Sequence, residues 1–289
     1  MTGRSATALT AAGAALACVL TGCAAPASVN APPEQSPGVS SPATSPKPAP
    51  ASSSAATQAP PSETIQSYVA TASRQRVFFG HQSVGFNVMK GINQLFRANG
   101  AGTPEYIDLD KKEPVPDRTS RGFVAHNKIG TNGQAFSKIA EFDALIRNGF
   151  ADQLDVALFK LCYVDIDART NVGSIFRKYR TVLRELERDF PELAFVHVTV
   201  PLQTDAAAAN VTRTRLNTML RREYGKSGLL WDIAALESTD PKGRKVGGKG
   251  YEALFRGYAS DGAHLNEQGG QVAAAGLLRV IAHTAWRDQ

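Results

Sequence analysis

From residue 63 onward, short continuous apolar runs alternate with longer stretches in which apolar side chains recur every three or four positions. Val77-Phe78-Phe79 is the first run and stops at Gly80; Val84, Val88, Ile92, Leu95 and Phe96 then share one face of a helix predicted over 84–96. Asp155-Val156-Ala157-Leu158-Phe159, Phe195-Val196-His197-Val198-Thr199-Val200 and Leu229-Leu230-Trp231-Asp232-Ile233 read as three more strands. Helical periodicity fills 175–190 and 212–224, and a small-residue helix over 267–286 closes the chain. Runs that are apolar at nearly every position need cover on both faces. The pattern therefore predicts an α/β domain over 63–289, a three-layer α/β/α sandwich around a mainly parallel central sheet. Ligands of such sheets bind beyond the carboxyl ends of the strands.

The first 62 residues follow another pattern. Residues 1–22 carry Arg4 and then a largely apolar stretch over 8–20, too short to span a bilayer comfortably, which reads as an export signal. It ends in Leu20-Thr21-Gly22-Cys23, which resembles the bacterial lipobox. That resemblance implies cleavage before Cys23, lipidation of its thiol, and an extracytoplasmic protein that meets the membrane through its lipid anchor only. The alternative is an ordinary secretory signal with a chance cysteine. Ten of the 16 prolines lie between Pro26 and Pro61, so residues 23–62 read as a disordered Ala/Pro/Ser-rich tether with too few apolar side chains to offset the entropy of folding.

Composition narrows the function. The net charge of +6 is dispersed, without the dense basic stripe of a nucleic-acid binder. Cys18, Cys23 and Cys162 are too few for a disulfide framework, and no Cys/His cluster suggests a metal. The loops after the predicted strands hold the chemistry. Gly80-His81-Gln82-Ser83 follows the first strand, Asn127-Lys128-Ile129-Gly130-Thr131-Asn132-Gly133 forms a glycine-bearing loop, Cys162-Tyr163-Val164-Asp165 follows the next strand, and Asp261-Gly262-Ala263-His264 precedes the last helix. A serine hydroxyl becomes nucleophilic when an imidazole removes its proton, and a carboxylate orients and stabilises that imidazole. Ser83, His264 and Asp261 are the candidates, with the strand-to-helix turn at Ser83 favouring negative charge beside it. The competing readings are a helix N-cap for Ser83, a simple turn at Asp261-Gly262 and a cap for the last helix at Asn266.

Ser83 near the start and Asp261-Gly262-Ala263-His264 near the end resemble the SGNH/GDSL hydrolase superfamily. The resemblance implies a flavodoxin-like sandwich, a Ser-His-Asp triad, no metal and no organic cofactor. It also implies an oxyanion hole built from the N–H groups of Ser83 and Gly133. Two departures stand out. The residue before the serine is Gln82, closer to the Gly-Gln-Ser of some carbohydrate acetylesterases, and the third-block asparagine is replaced by Val164, with Asn132 as the candidate substitute donor. The implied activity is ester hydrolysis, with acetyl esters on cell-envelope glycans as the suggested substrate. The rivals are a glycan O-acyltransferase and a non-catalytic glycan-binding protein.

The remaining polar residues receive plainer expectations. His197 and His283 read as structural, Cys162 as a buried thiol, and Asp165 as a brace for its loop. His81 and His126 flank the site loops and are candidates to touch substrate. Residues 243–250 read as a mobile surface loop and 111–121 as a candidate lid.

Overall fold

A computed structural model describes residues 63–116 and 121–286; the export signal, Cys23, the tether, and residues 117–120 of the candidate lid lie outside them. The described residues belong to one unit, Thr57–Gln289. Its centre is a six-stranded sheet of β1 (Arg76–His81), β2 (Glu105–Asp108), β3 (Phe123–Lys128), β4 (Val156–Phe159), β5 (Ala194–Val198) and β6 (Leu230–Trp231). The spatial order is β2-β3-β1-β4-β5-β6 and each neighbouring pair is parallel. Without the edge strand β2, this is the doubly wound order of flavodoxin-like folds, with its switch point between β1 and β4.

Alternation along the central strands divides the core in two. Val77 and Phe79 of β1 and Val156 and Leu158 of β4 face α1 (Ile65–Ala72), α2 (Val84–Ala98), α6 (Ile233–Glu237) and α7 (Glu267–Trp286). Phe78, Ala157 and Phe159 face α3 (Ala135–Leu145), α4 (Val172–Asp189) and α5 (Ala207–Tyr224) on the other side. Phe78 and Phe142 stack at 6.1 Å inside that second layer; each such fully buried side chain stabilises the fold by roughly 1.5–3 kcal/mol. The three-layer α/β/α sandwich read from the apolar pattern is the fold observed.

Three elements escape that pattern. β2 is a short edge strand with polar ends, β3 finishes in His126, Asn127 and Lys128, and α3 carries Lys138 on its buried face, fully sequestered from solvent. Residues 243–250, expected as a loop, contribute to a small antiparallel hairpin of β7 (Gly247–Gly248) and β8 (Tyr251–Glu252).

Helices α2 and α7 pack with no side chain between them at their closest approach. A Cβ built on Gly91 of α2 would lie 2.3 Å from the Gly270 carbonyl oxygen of α7, and one on Gly270 would lie 2.8 Å from the Asn87 carbonyl oxygen. The two backbones touch, which side chains at these positions would prevent. Asn266 fixes the entry to α7, its Oδ1 accepting from the Gly269 N–H at 2.9 Å and its Nδ2 donating to the Gly257 carbonyl at 2.8 Å. Gly91→Ala is expected to lower stability by about 1–3 kcal/mol, the usual range for overpacking a close contact. Exposed Lys90→Ala should stay within about 0.5 kcal/mol of wild type in the same urea titration. Equal midpoints for the two variants would remove the close-contact argument.

Candidate active site

The site is assembled where β1 and β4 end. After β1 the chain turns sharply: the Gly85 N–H donates to the Gln82 carbonyl at 3.0 Å, and Ser83 takes φ 52° and ψ −105°. That is close to the first central position of a type II′ turn, where glycine is the usual residue. A non-glycine residue held there stores on the order of 1–3 kcal/mol of strain. The strain keeps the Ser83 hydroxyl away from the capping position, since its side chain makes no cap hydrogen bond to α2. Instead Ser83 Oγ lies 2.5 Å from His264 Nε2. Gln82 braces the turn from behind, its amide donating to the Ile129 and Gly130 carbonyls at 2.9 and 2.7 Å.

Asp261 and His264 come from one loop ahead of α7, and the turn and the pairing coexist. Asp261 Oδ1 accepts from the Ala263 and His264 N–H groups at 2.7 and 2.8 Å, while Oδ2 meets His264 Nδ1 at 2.7 Å. The His264 N–H, the His264 ring and the Ala263 N–H together hold the Asp261 carboxyl down at about 2, so it is ionised at any ordinary pH. The Thr204 N–H donates to the Gly262 carbonyl at 2.9 Å and ties this loop to the segment after β5. Ser83, His264 and Asp261 thus form a continuous hydrogen-bonded chain.

The expected oxyanion donors are arranged differently. The Gly133 N–H donates to Asp165 Oδ1 at 2.8 Å, so it is spent on a carboxylate and is not free to receive a developing oxyanion. Asn132 is exposed, and its Oδ1 accepts from Lys138 Nζ at 2.9 Å. Neither residue hydrogen-bonds to Ser83 or His264 among the described residues. Both loops are instead stapled by a buried ion pair. Lys138 Nζ lies 2.8 Å from Asp165 Oδ2 with both side chains sequestered, and the same carboxylate accepts from the Cys162 N–H at 2.6 Å. A buried carboxylate needs several donors, and this one has recruited the glycine that the motif alone assigned to the hole. The Ser83 N–H remains the available backbone donor, having no acceptor among the described residues.

Other residues fall into place around this chain. His81 is fully buried with Nε2 3.0 Å from Met89 Sδ, and burial first, then the Lys160 charge, push its pKa well down; it cannot touch substrate. His126 stacks on His81 at 5.4 Å and is likewise shifted down by burial. Cys162 is a buried thiol accepting from Lys160 Nζ at 3.3 Å. His197 is a core residue between Tyr179 and Glu187, both at 3.2 Å. No group of His, Cys, Asp and Glu among the described residues could hold a metal ion. Tyr163, which the apolar pattern and the motif left unremarked, is brought to the centre: its ring stands edge-on to that of His264 at 5.8 Å and 81°. Its hydroxyl is near enough to that of Ser83 for the serine to lower its pKa, an effect outweighed by burial and by the Asp261 charge. Val164, which takes the place of the third-block asparagine, is 44% exposed beside it.

The sequence matches no family model and no curated protein. Among solved structures it is similar to a GDSL-like lipase from Bacteroides thetaiotaomicron, at 11% identity over 75% of this chain and 98% of that one, with a TM-score of 0.46. It is also similar to a catalytic mutant of an acetylxylan esterase from Geobacillus stearothermophilus, at 12% identity over 73% and 95% of the two chains and a TM-score of 0.41. At these distances the likeness is one of overall fold.

The strained turn has a measurable signature. Ser83→Gly removes the strain and Ser83→Ala retains it, so the glycine variant is expected to be more stable than the alanine variant by about 1 kcal/mol after glycine's own entropic cost. Glycine proving the less stable of the two in chemical denaturation would show that the turn holds no strain.

Proposed function

We propose that this protein is a serine ester hydrolase of the SGNH/GDSL type, with Ser83 as nucleophile, His264 as general base and acid, and Asp261 as the group that orients His264. The observation that carries this reading is the unbroken chain of 2.7 and 2.5 Å contacts from Asp261 through His264 to Ser83. Asp261 accepts at Nδ1, which selects the tautomer whose Nε2 lone pair faces the serine. As Ser83 Oγ bonds to the ester carbonyl carbon, its proton passes to Nε2 and the carbonyl π pair moves onto oxygen, where the Ser83 N–H receives it. Collapse breaks the bond to the alcohol, which takes the proton back from His264. Water then repeats the sequence on the acyl-enzyme. The charged Asp261 stabilises the imidazolium in both halves.

The substrate we assign is an acyl ester, with acetyl groups on cell-envelope glycans as the favoured case. Gln82 ahead of Ser83, similar to the Gly-Gln-Ser of carbohydrate acetylesterases, and the export signal with its Cys23 support this assignment. In this reading lipidated Cys23 holds the protein on the outer side of a membrane, and residues 23–62 form a leash of roughly 100 Å where extended. No helix among the described residues is long and apolar enough to cross a bilayer.

Hydrolysis of p-nitrophenyl acetate by wild type and its loss by at least about 10³-fold in Ser83→Ala are the expected results, with a fluorophosphonate labelling Ser83 alone. Background hydrolysis by both proteins and no labelling would sink the esterase reading. For the anchor, Cys23→Ser should shift the protein from the membrane fraction to the soluble fraction and abolish metabolic labelling by a palmitate analogue. Unchanged partitioning would remove the lipid from the account.

A further inference from the structure

We propose that the Tyr163 hydroxyl is the second donor to the oxyanion, doing the work of the amide that Val164 cannot supply. The inference rests on Ser83 being the nucleophile and extends it to a residue outside the Ser-His-Asp set. With the Gly133 N–H donated to Asp165, the Ser83 N–H would face the developing charge alone. One missing donor typically costs about 10²–10³ in turnover.

Tyr163 follows β4 just as Ser83 follows β1, so the two flank the switch-point crevice. Its ring stands edge-on to the His264 ring, centroids 5.8 Å apart, which places the phenol beside the imidazole that Ser83 Oγ contacts. A phenol there has one proton to offer, to the carbonyl oxygen bonded to the carbon that Oγ attacks; the proton stays on the phenol throughout. Burial first, and the neighbouring Asp261 charge second, raise the Tyr163 pKa, so it remains a protonated donor across the neutral range.

The ring is held from behind by Arg213, which lies 3% exposed with its guanidinium carbon 5.9 Å from the ring centroid. Its Nε donates to the Tyr163 carbonyl at 3.1 Å, Nη1 to Asn210 Oδ1 at 2.7 Å and Nη2 to Gln203 Oε1 at 2.7 Å. Among the described residues Arg213 makes no carboxylate contact, so its charge is left facing the phenol ring. A cation over the ring withdraws electron density and strengthens the O–H as a donor. Burial lowers the Arg213 pKa only to about 10, which keeps it charged where the enzyme would work.

The test is Tyr163→Phe in the full chain, which keeps the ring, its Arg213 contact and its edge contact with His264. On p-nitrophenyl acetate, kcat should fall by about 10²–10³ while KM changes little. The inhibition constant of an alkyl trifluoromethyl ketone, whose Ser83 adduct carries its oxyanion in the hole, should rise by a comparable factor. The thermal midpoint should stay within about 4 °C of wild type, so that the loss is read as chemistry. A variant as fast as wild type, while Ser83→Ala is inert, overturns the role of Tyr163 and leaves the esterase reading standing. A slow variant that binds the ketone normally also overturns it, because the phenol would then act elsewhere. Wild type that neither turns over ester nor binds the ketone overturns both.

Discussion

Backbone contact between α2 and α7 is the constraint on which the site depends. Ser83 is the residue before α2 and His264 stands three residues before α7, so the separation of those two helices sets the separation of hydroxyl and imidazole. A proton transfer is sensitive to tenths of an ångström, and side-chain packing alone would leave that distance soft. Here Gly91 and Gly270 bring main chain against main chain, where nothing can change rotamer. The 2.5 Å approach of Ser83 to His264, across 181 positions of sequence, is what that rigidity delivers.

The rest of the machinery is held by groups that are each satisfied locally and linked to one another. Gln82 ties the serine turn to the loop after β3, and the Lys138–Asp165 pair ties that loop to the one after β4. A buried ion pair of this kind adds little net stability compared with apolar side chains of the same volume, yet losing one partner strands the other. Its value here is geometric. It fixes two loops with one carboxylate, and in doing so it consumes the glycine N–H that a motif comparison reserves for the oxyanion. The aromatic residue one position ahead of Val164, with a buried arginine behind it, is our proposed replacement for that donor.

Much of this was legible in the chain itself, and for a physical reason. Apolar periodicity reflects which positions meet the core, so β1, β4, β5 and the helices α2, α4, α5 and α7 could be read directly, as could the two-sided burial of the sheet. The Asp261–His264 pair was equally legible, because a spacing of three lets the Asp261 carboxylate accept the N–H groups of its own turn while meeting the ring of His264. β3 and α3 were hidden because His126, Asn127 and Lys138 are polar yet buried, and what makes Lys138 tolerable is its pairing with Asp165, remote in sequence.

Only the tertiary structure decided the rest. That His81 is sealed inside while Tyr163 reaches the crevice depends on which strand lies beside which, and local pattern carries no information on strand order. The direction of the Gly133 N–H depends on a carboxylate 32 residues away. Local spacing thus determined the parts and their classes of chemistry. Their meeting required the long-range packing of α2 on α7 and of β1 beside β4, since hydrogen-bond geometry is set by distances between elements, which periodicity within an element does not encode.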